Sequence, residues 1–457
     1  MRNSKNLALL PILFLLVISA ARAQIVSTQQ QSILTAEAGP ESAKINRNRG
    51  QKILKKVKEN LEKNYYDKNF KGIDLEATYE AARKQIEKLD ANWQIFRVIA
   101  QYVMQFDDSH TRFYPPSRSV SVEYGFRLQM IGNTCFVVDV TKGSDAEKKG
   151  LKVGDIVAGI HQYNPNRENL WKIRYILYAL DPLQKINVFV LNDDKTERKL
   201  EIEAAIKSME ERREEAKKRS KEFEPYKCHE VSPELIACRL ESFLVDKSDI
   251  NKMMKEIEGH EKLVLDLRGN GGGYVEIEEY LTGHFFDRDV KIGDFVTQKE
   301  TTERIAKTRG DKAYDGELVV LIDSETGSAA EVFSRVIQIE KRGKVIGDTS
   351  AGAVMTGVSI GSTIQRGSGD LMTLTVFGMS VTVADLIMSD GKRLEKAGVT
   401  PDVAIGPSGP ALLNRADPIL AYAINEFGGA MTSEEAGELH FLIPKQETET
   451  EDQEEEQ

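Results

Sequence analysis

The sequence predicts a multidomain α/β protein, and three changes of pattern along the chain predict it. Apolar residues recur at helical spacing through 46–118 and alternate as in strands through 119–205. Through 232–428 they form continuous apolar strands separated by helices. At 457 residues the chain exceeds what one ordinary core holds, so two or three domains are expected.

In chain order, Arg2 and Lys5 precede the apolar run "LALLPILFLLVISA", and "ARA" follows it. A basic start, a short apolar segment and an A-x-A site make a secretory signal peptide over 1–23, cut after Ala23. The run is short and Pro11 interrupts it, which argues against a membrane anchor. The mature chain is therefore expected to be periplasmic or secreted. Residues 24–45 are rich in Gln, Ser, Ala and Glu without a period and read as a flexible leader. Over 46–118, three sets at helical spacing predict a bundle: Ile53, Leu54, Val57 and Leu61; Leu75, Tyr79, Ala82 and Ile86; Phe96, Ile99, Val103 and Phe106. It ends at "FDDSHTRFYPP", where Pro115 and Pro116 stop continuation.

The block 119–205 has strands in "YGFRLQMI" and "CFVVDVT", a helix and Gly turn in "SDAEKKGLKVGDIVAGI", and a hairpin of "KINVFVLN" and "KLEIEA" about "DDKT". This order resembles a bacterial, circularly permuted PDZ domain. The resemblance implies that Tyr124, Gly125, Phe126 and Arg127 form the loop that holds a peptide's C-terminal carboxylate through backbone N–H groups. The peptide would add a strand to the sheet edge. The plainer alternative is an inert spacer domain. Residues 206–231 contain "SMEERREEAKKRSKEFEPYK", highly charged and free of Gly, and read as an exposed helical linker.

Within 232–428, "ELIACRLESF", "KLVLDLRGNGGG", "ELVVLID" and "KVIGDTSAGA" read as strands. "DINKMMKEI" and "SAAEVFSRVIQIEKRG" read as helices. That alternation argues a mostly parallel or mixed sheet covered by helices, while "LMTLTVFGMSVTV" looks antiparallel. Residues 429–457 lose pattern and end in "QETETEDQEEEQ", an acidic disordered tail.

The formal charge is −10. Losing Arg2, Lys5 and Arg22 makes it −13, and setting aside the seven acids of the tail leaves the folded part near −6. No basic face for nucleic acid is expected. Cys228 and Cys238 flank "HEVSPELIA", a stretch that suits a hairpin, so a disulfide between them is geometrically feasible, and Cys135 reads as an apolar strand residue. Three cysteines leave one over, and sequence does not fix the pairing. His110, His161, His229, His260, His284 and His440 are isolated, and no pair has zinc spacing. No metal and no cofactor are expected.

Three elements carry chemistry. Ser328, in "LIDSETGSAAEVF", stands where strand becomes helix. It either caps the helix or attacks a carbonyl with Ala329 N–H as an oxyanion donor. The glycines of "DLRGNGGG" let backbone approach a ligand but lack the G-K-[ST] of a phosphate loop. An amide of Gly271 or Gly272 would suit a second oxyanion donor. In "DDSHT", His110 between Ser109 and Thr111 is a candidate base.

The order "DSHT", then the strand block, "DLRGNGGG", "GSAAE", "GDTSAG" and "EKAGVTPDV" resembles the S41 peptidases, across about 46–408. These are the C-terminal processing or tail-specific proteases and their tricorn-like relatives. The resemblance implies a ClpP/crotonase-like α/β protease core with an N-terminal helical bundle and an inserted PDZ-like β domain. Where the processing branch carries a lysine base, "GDTSAGA" has Ala353. The tricorn-like branch instead implies Ser328 as nucleophile, His110 as base, Ser109 beside it and Glu395 completing a tetrad. Which group touches the imidazole stays open. The implied activity is hydrolysis of peptide bonds in unfolded or C-terminally recognised polypeptides, through an acyl-enzyme on Ser328. The implied partners are polypeptide substrates, with a homo-oligomer admitted. The rival reading is a non-catalytic ligand- or peptide-binding protein on the same fold.

Overall fold

The computed structural model describes residues 40–192, 194–366, 373–439 and 441. The signal-peptide segment 1–23, most of the leader, His440 and the acidic end of the chain lie outside the described residues.

Helices Pro40–Asn64, Leu75–Ile86 and Asn92–Met104 open the described chain. The first starts inside the stretch read as leader. Asp74 caps the second by accepting from Ala77 N–H. Their stripes meet in one core, where Ile53, Leu54, Val57 and Leu61 are fully buried against Ile95, Ile99 and Val103. That core also holds Phe377, Met379 and Val381. The helices therefore rest on a five-stranded sheet made of Arg112–Tyr114, Val290–Thr297, Thr301–Ala306, Thr356–Arg366 and Thr373–Met388. Arg112–Tyr114 pairs antiparallel with Thr373–Met388, Arg112 opposite Ser380 and Tyr114 opposite Gly378. This pairing ties "DSHT" to the distant half of the chain.

The block that follows is a five-stranded antiparallel sheet of Phe126–Ile131, Thr134–Val140, Ile156–Ile160, Lys185–Leu191 and Glu197–Glu203. Helix Leu170–Tyr175, extended by the π turn Ile176–Leu180, packs on it through Leu170, Ile173 and Leu177. Helix Met209–Glu222 then buries none of its residues and is closed by a reciprocal cap between Ser208 and Glu211.

The remaining sheet has six strands, in the order Val403–Ala404, Lys344–Gly347, Glu317–Ile322, Lys262–Asp266, Leu235–Leu240, Tyr226–Ser232. All neighbours are parallel except the last pair. Both faces are covered. Helices Lys247–Ile257, Val275–Thr282 and Ala329–Ile339 supply Ile250, Leu281 and Phe333 to one core, and Pro418–Glu426 supplies Leu420 and Ile424 to the other. Burial on both faces is why these strands read as unbroken apolar runs.

Two further details differ from the sequence reading, and the cysteine pairing it left open is fixed. Strand Tyr226–Ser232 begins inside the stretch taken as linker, because it pairs with Leu235–Leu240. Helix Ser433–Glu438 and Phe441 extend the ordered fold past 428, with Ala436 and Phe441 buried in the second core. Cys228 and Cys238 face each other across that antiparallel pair and form a disulfide, leaving Cys135 buried and free.

Candidate active site

Strand Glu317–Ile322 ends in a turn that delivers Ser328 to the start of helix Ala329–Ile339. Ser328 has φ 52° and ψ −120°, a conformation that costs a non-glycine residue roughly 1–3 kcal/mol. Its surroundings hold it there. Ser328 N–H donates to Ala353 O and to Glu331 Oε2, each at 3.0 Å. Gly327 N–H donates to Asn270 O at 2.9 Å. Gly272, at φ +95°, packs so close that a Cβ there would lie 2.5 Å from Ser328 Cβ. The Ser328 side chain makes no capping hydrogen bond. Capping falls to Glu331, which leaves the hydroxyl for other work.

Glu331 was not singled out from sequence. Its carboxylate is wholly buried and accepts from Ser350 Oγ (2.6 Å), Gly352 N–H (2.7 Å), Ala353 N–H (2.8 Å) and Ser328 N–H (3.0 Å). Burial pushes its pKa up to about 7 against these donors, which favour the charged form. The S-x-x-E spacing of a capping box was its legible signal.

Of the three amides expected to hold an oxyanion, two are free. Among the described residues no acceptor is bonded to Ala329 N–H or Gly271 N–H. Gly271 lies against the Ser328 turn, since a Cβ on Gly327 would be 3.4 Å from Gly271 O. Gly272 is a correction: its N–H donates to Asn270 Oδ1 at 2.9 Å, so it has no proton to offer a ligand. Its role is the close approach to Ser328.

The imidazole is set by a second group of bonds. Asp108, also missed from sequence, is buried and accepts from His110 N–H (3.1 Å), Thr111 N–H (2.7 Å), Tyr65 Oη (2.9 Å) and Thr382 Oγ1 (2.7 Å). It thus pins the turn to the helices and to the long strand. His110 Nδ1 lies 2.7 Å from Ser109 Oγ, and Ser109 Oγ lies 2.9 Å from Glu395 Oε2. Glu395 also accepts from Ser109 N–H (2.8 Å) and Val354 N–H (3.2 Å). Every bond to Glu395 is one it accepts, as an ionised carboxylate does. Ser109 then spends its proton on Glu395 and accepts from Nδ1–H. That leaves the lone pair of His110 on Nε2. Burial lowers the His110 pKa and raises that of Glu395.

One short segment joins the two groups. Ala353 O takes Ser328 N–H, Val354 N–H reaches Glu395, and Gly357 packs on the imidazole, where a Cβ would lie 3.0 Å from His110 Cβ. No hydrogen bond joins Ser328 to His110 in this structure; such bonds are commonly longer before substrate binds. Ala353 offers only a methyl group. Lys344 pairs with Glu426 and Lys396 with Asp107.

The four residues expected to bind a peptide end sit elsewhere, and none bonds to Ser328, Ser109, His110 or Glu395. Tyr124 is buried with its hydroxyl donating to Leu183 O at 2.9 Å, and Gly125, at φ +73°, packs on Ser144. Phe126 lines a groove with Leu128, Ile173, Leu177 and Ile186. Arg127 pairs with Glu325 at 2.8 Å, as does Arg174 at 3.1 Å, three residues ahead of Ser328.

Residues 236–405 match the family model described as Peptidase family S41, a span that includes Ser328 and Glu395 but not His110. The chain is 25% identical over 307 residues to the tail-specific protease of Haemophilus influenzae, covering 63% of this chain and 42% of that protein. It therefore spans less than half the length of that relative. It is 23% identical over 385 residues to the chloroplastic C-terminal processing peptidase of Tetradesmus obliquus, covering 76% of this chain and 75% of that one. Among solved structures, mature CPAF shares the fold, with a TM-score of 0.62 at 13% identity over 85% of this chain and 100% of that one. The strand-to-helix serine, the glycine turn beside it and the carboxylate of Glu395 thus all lie within residues 236–405, the stretch that matches the model described as Peptidase family S41.

Proposed function

We propose that the protein is a serine protease that cleaves polypeptides through an acyl-enzyme on Ser328. The observation that carries the reading is the relay from Glu395 through Ser109 to Nδ1 of His110. It orients the ring and leaves Nε2 as the proton acceptor. Attack by Ser328 Oγ on a substrate carbonyl passes the hydroxyl proton to Nε2, which returns it to the leaving amine. Ala329 N–H and Gly271 N–H receive the oxyanion, each donor typically worth about 3 kcal/mol of transition-state stabilisation. Water then repeats the sequence in reverse and frees the enzyme. No cofactor takes part in these steps.

Two finer features belong to the same reading. The groove beside Phe126 belongs to a PDZ-like domain, and the loop Tyr124–Arg127 holds the carboxyl end of a substrate there. Residues 1–23 export the chain to a periplasm or beyond. No helix among the described residues is long and apolar enough to cross a membrane.

Burial lowers the His110 pKa below its ordinary value of 6.5, so the ring is neutral and competent at pH 7. An NMR titration of the His110 ring is expected to inflect below pH 6.5, with hydrolysis of unfolded casein lost as the ring protonates. An imidazolium persisting above pH 7 would contradict the assignment of Nε2 as base.

A further inference from the structure

Helix Met209–Glu222 is polar along its whole length and buries none of its residues. Its charges are nonetheless sorted. At 3.6 residues per turn, Arg212, Arg213, Lys217, Arg219 and Lys221 fall on one half of the helix. Glu211, Glu214, Glu215 and Glu222 fall on the other, with Glu210 and Lys218 as the exceptions. Glu215 is half-buried and pairs with Lys207, while the five bases are all exposed. Lys217 pairs with Glu214 at 2.6 Å, whereas Arg212, Arg213, Arg219 and Lys221 have no ion pair among the described residues. A helix polar all round holds through internal pairs or through what it bridges, and here four cations are left over.

The described residues end near this helix. Lys227, a few residues past Glu222, donates to Leu439 O at 2.8 Å and lies over the ring of Phe441, 5.8 Å from its centroid. Phe441 is itself buried, which fixes the point where residues 442–457 set out. The backbone between Glu222 and Lys227 and the Lys227 side chain together span at most about 30 Å. Residues 442–457 reach up to about 53 Å when extended, enough to close that gap and run the roughly 21 Å of the helix. They carry seven acids, from Glu447 to Glu456, and no base after Lys445. The rest of the mature fold is net negative and repels them, so an exposed basic face is where they settle.

We propose that the basic half of helix Met209–Glu222 is the docking surface of this chain's own acidic tail, residues 447–456. The tail then braces the connector between the strand block and the six-stranded sheet. Strand Ala205–Ser208, just before the helix, pairs with Val120–Glu123, which leads into the loop Tyr124–Arg127. Single exposed ion pairs are weak. The tether makes docking intramolecular, at an effective concentration on the order of 1 mM, so several weak pairs suffice. The arginine forks add two-bond contacts to carboxylates. Docking does not depend on whether Ser328 hydrolyses a peptide.

The test is zero-length carbodiimide cross-linking of the full chain, read by peptide mass spectrometry. The reagent joins an ammonium to a carboxylate in contact with it. Lys217 and Lys221 are expected to join to acids within 447–456 at a yield roughly 10-fold or more above that of exposed lysines elsewhere, such as Lys88 and Lys299. At about 1 M salt, where screening cuts the reach of a charge to about 3 Å, the yield should fall to that background. Arg212→Gln, Arg213→Gln and Arg219→Gln in one chain keep both reporter lysines and break no ion pair. Their yield should fall roughly 5-fold or more. Mixing isotope-labelled with unlabelled chains identifies the occupant, and only same-isotope pairs are expected. Mixed pairs would give the face to a second copy and overturn the proposal. A yield at Lys217 and Lys221 no higher than at Lys88 and Lys299 also overturns it and leaves the face to an acidic partner. So does a yield that survives high salt or the triple substitution. The wild-type arms decide the matter by themselves if the variant does not fold.

Discussion

Ser328→Ala and His110→Ala are each expected to lower kcat on unfolded casein by roughly 10,000- to 1,000,000-fold. The double variant should be no slower than the slower single one. The two side chains act as one unit: without Nε2 the hydroxyl of Ser328 keeps its proton, and without the hydroxyl Nε2 has nothing to receive. Non-additivity of this size separates a shared catalytic role from two independent structural defects, whose effects would multiply. Ser328 loses one hydroxyl that caps nothing, and His110 is only half-buried, so thermal melts of the single variants should stay close to wild type. Steady-state hydrolysis beside differential scanning fluorimetry on the four proteins checks both statements.

Glu331→Ala is expected to have the largest effect on stability. It strands three donors, the amides of Gly352 and Ala353 and the hydroxyl of Ser350, while Ser328 N–H keeps its bond to Ala353 O. Each buried donor left without an acceptor costs about 1–3 kcal/mol. The sum is on the order of 4 kcal/mol or more, a fall of roughly 10 °C in Tm. Activity should be lost as well, because Glu331 holds Gly352 and Ala353 in place and the Ala353 carbonyl is the other acceptor for Ser328 N–H. The pH dependence has a definite sign. Burial raises this carboxyl from 4.5 to about 7, so the folded state binds its proton more tightly than the unfolded chain does. The group's contribution to stability is fully present below pH 4.5 and declines as pH rises through about 7. In Glu331→Gln that part of the slope should vanish. Melting curves collected between pH 4.5 and 8 on wild type and Glu331→Gln measure it.

The parts of the site that were legible in the sequence are those fixed by residue type in a motif. "DSHT", "GSAAE" and "EKAGVTPDV" name the groups at 109, 110, 328 and 395, but their distances depend on a pairing that only the folded chain makes. Arg112 opposite Ser380 is what brings the first motif to the core, across a separation that no local pattern encodes. Gly272 was taken for a donor because glycine density was read without the neighbouring asparagine. An Asn side chain accepting from the amide two residues on is a turn with its own signature, and Asn270–Gly271–Gly272 carries it. The helix Ser433–Glu438 was absorbed into the acidic tail although Thr432 and Glu435 form a T-x-x-E cap. There the charge of the last residues hid a local signal. The strands of the six-stranded sheet were legible because burial on both faces leaves an unbroken apolar run. Strand Tyr226–Ser232 was legible only as one arm of a hairpin through "HEVSPELIA", and its start was taken as linker, since an edge strand alternates polar and apolar residues.

The central claim is that Nε2 of His110 activates Ser328. A fluorophosphonate probe followed by peptide mass spectrometry tests it without choosing a substrate. Wild type is expected to be modified at Ser328, Ser328→Ala not at all, and His110→Ala at a rate lower by roughly 1,000-fold or more. Labelling of His110→Ala at the wild-type rate, or of some other residue in place of Ser328, would contradict it.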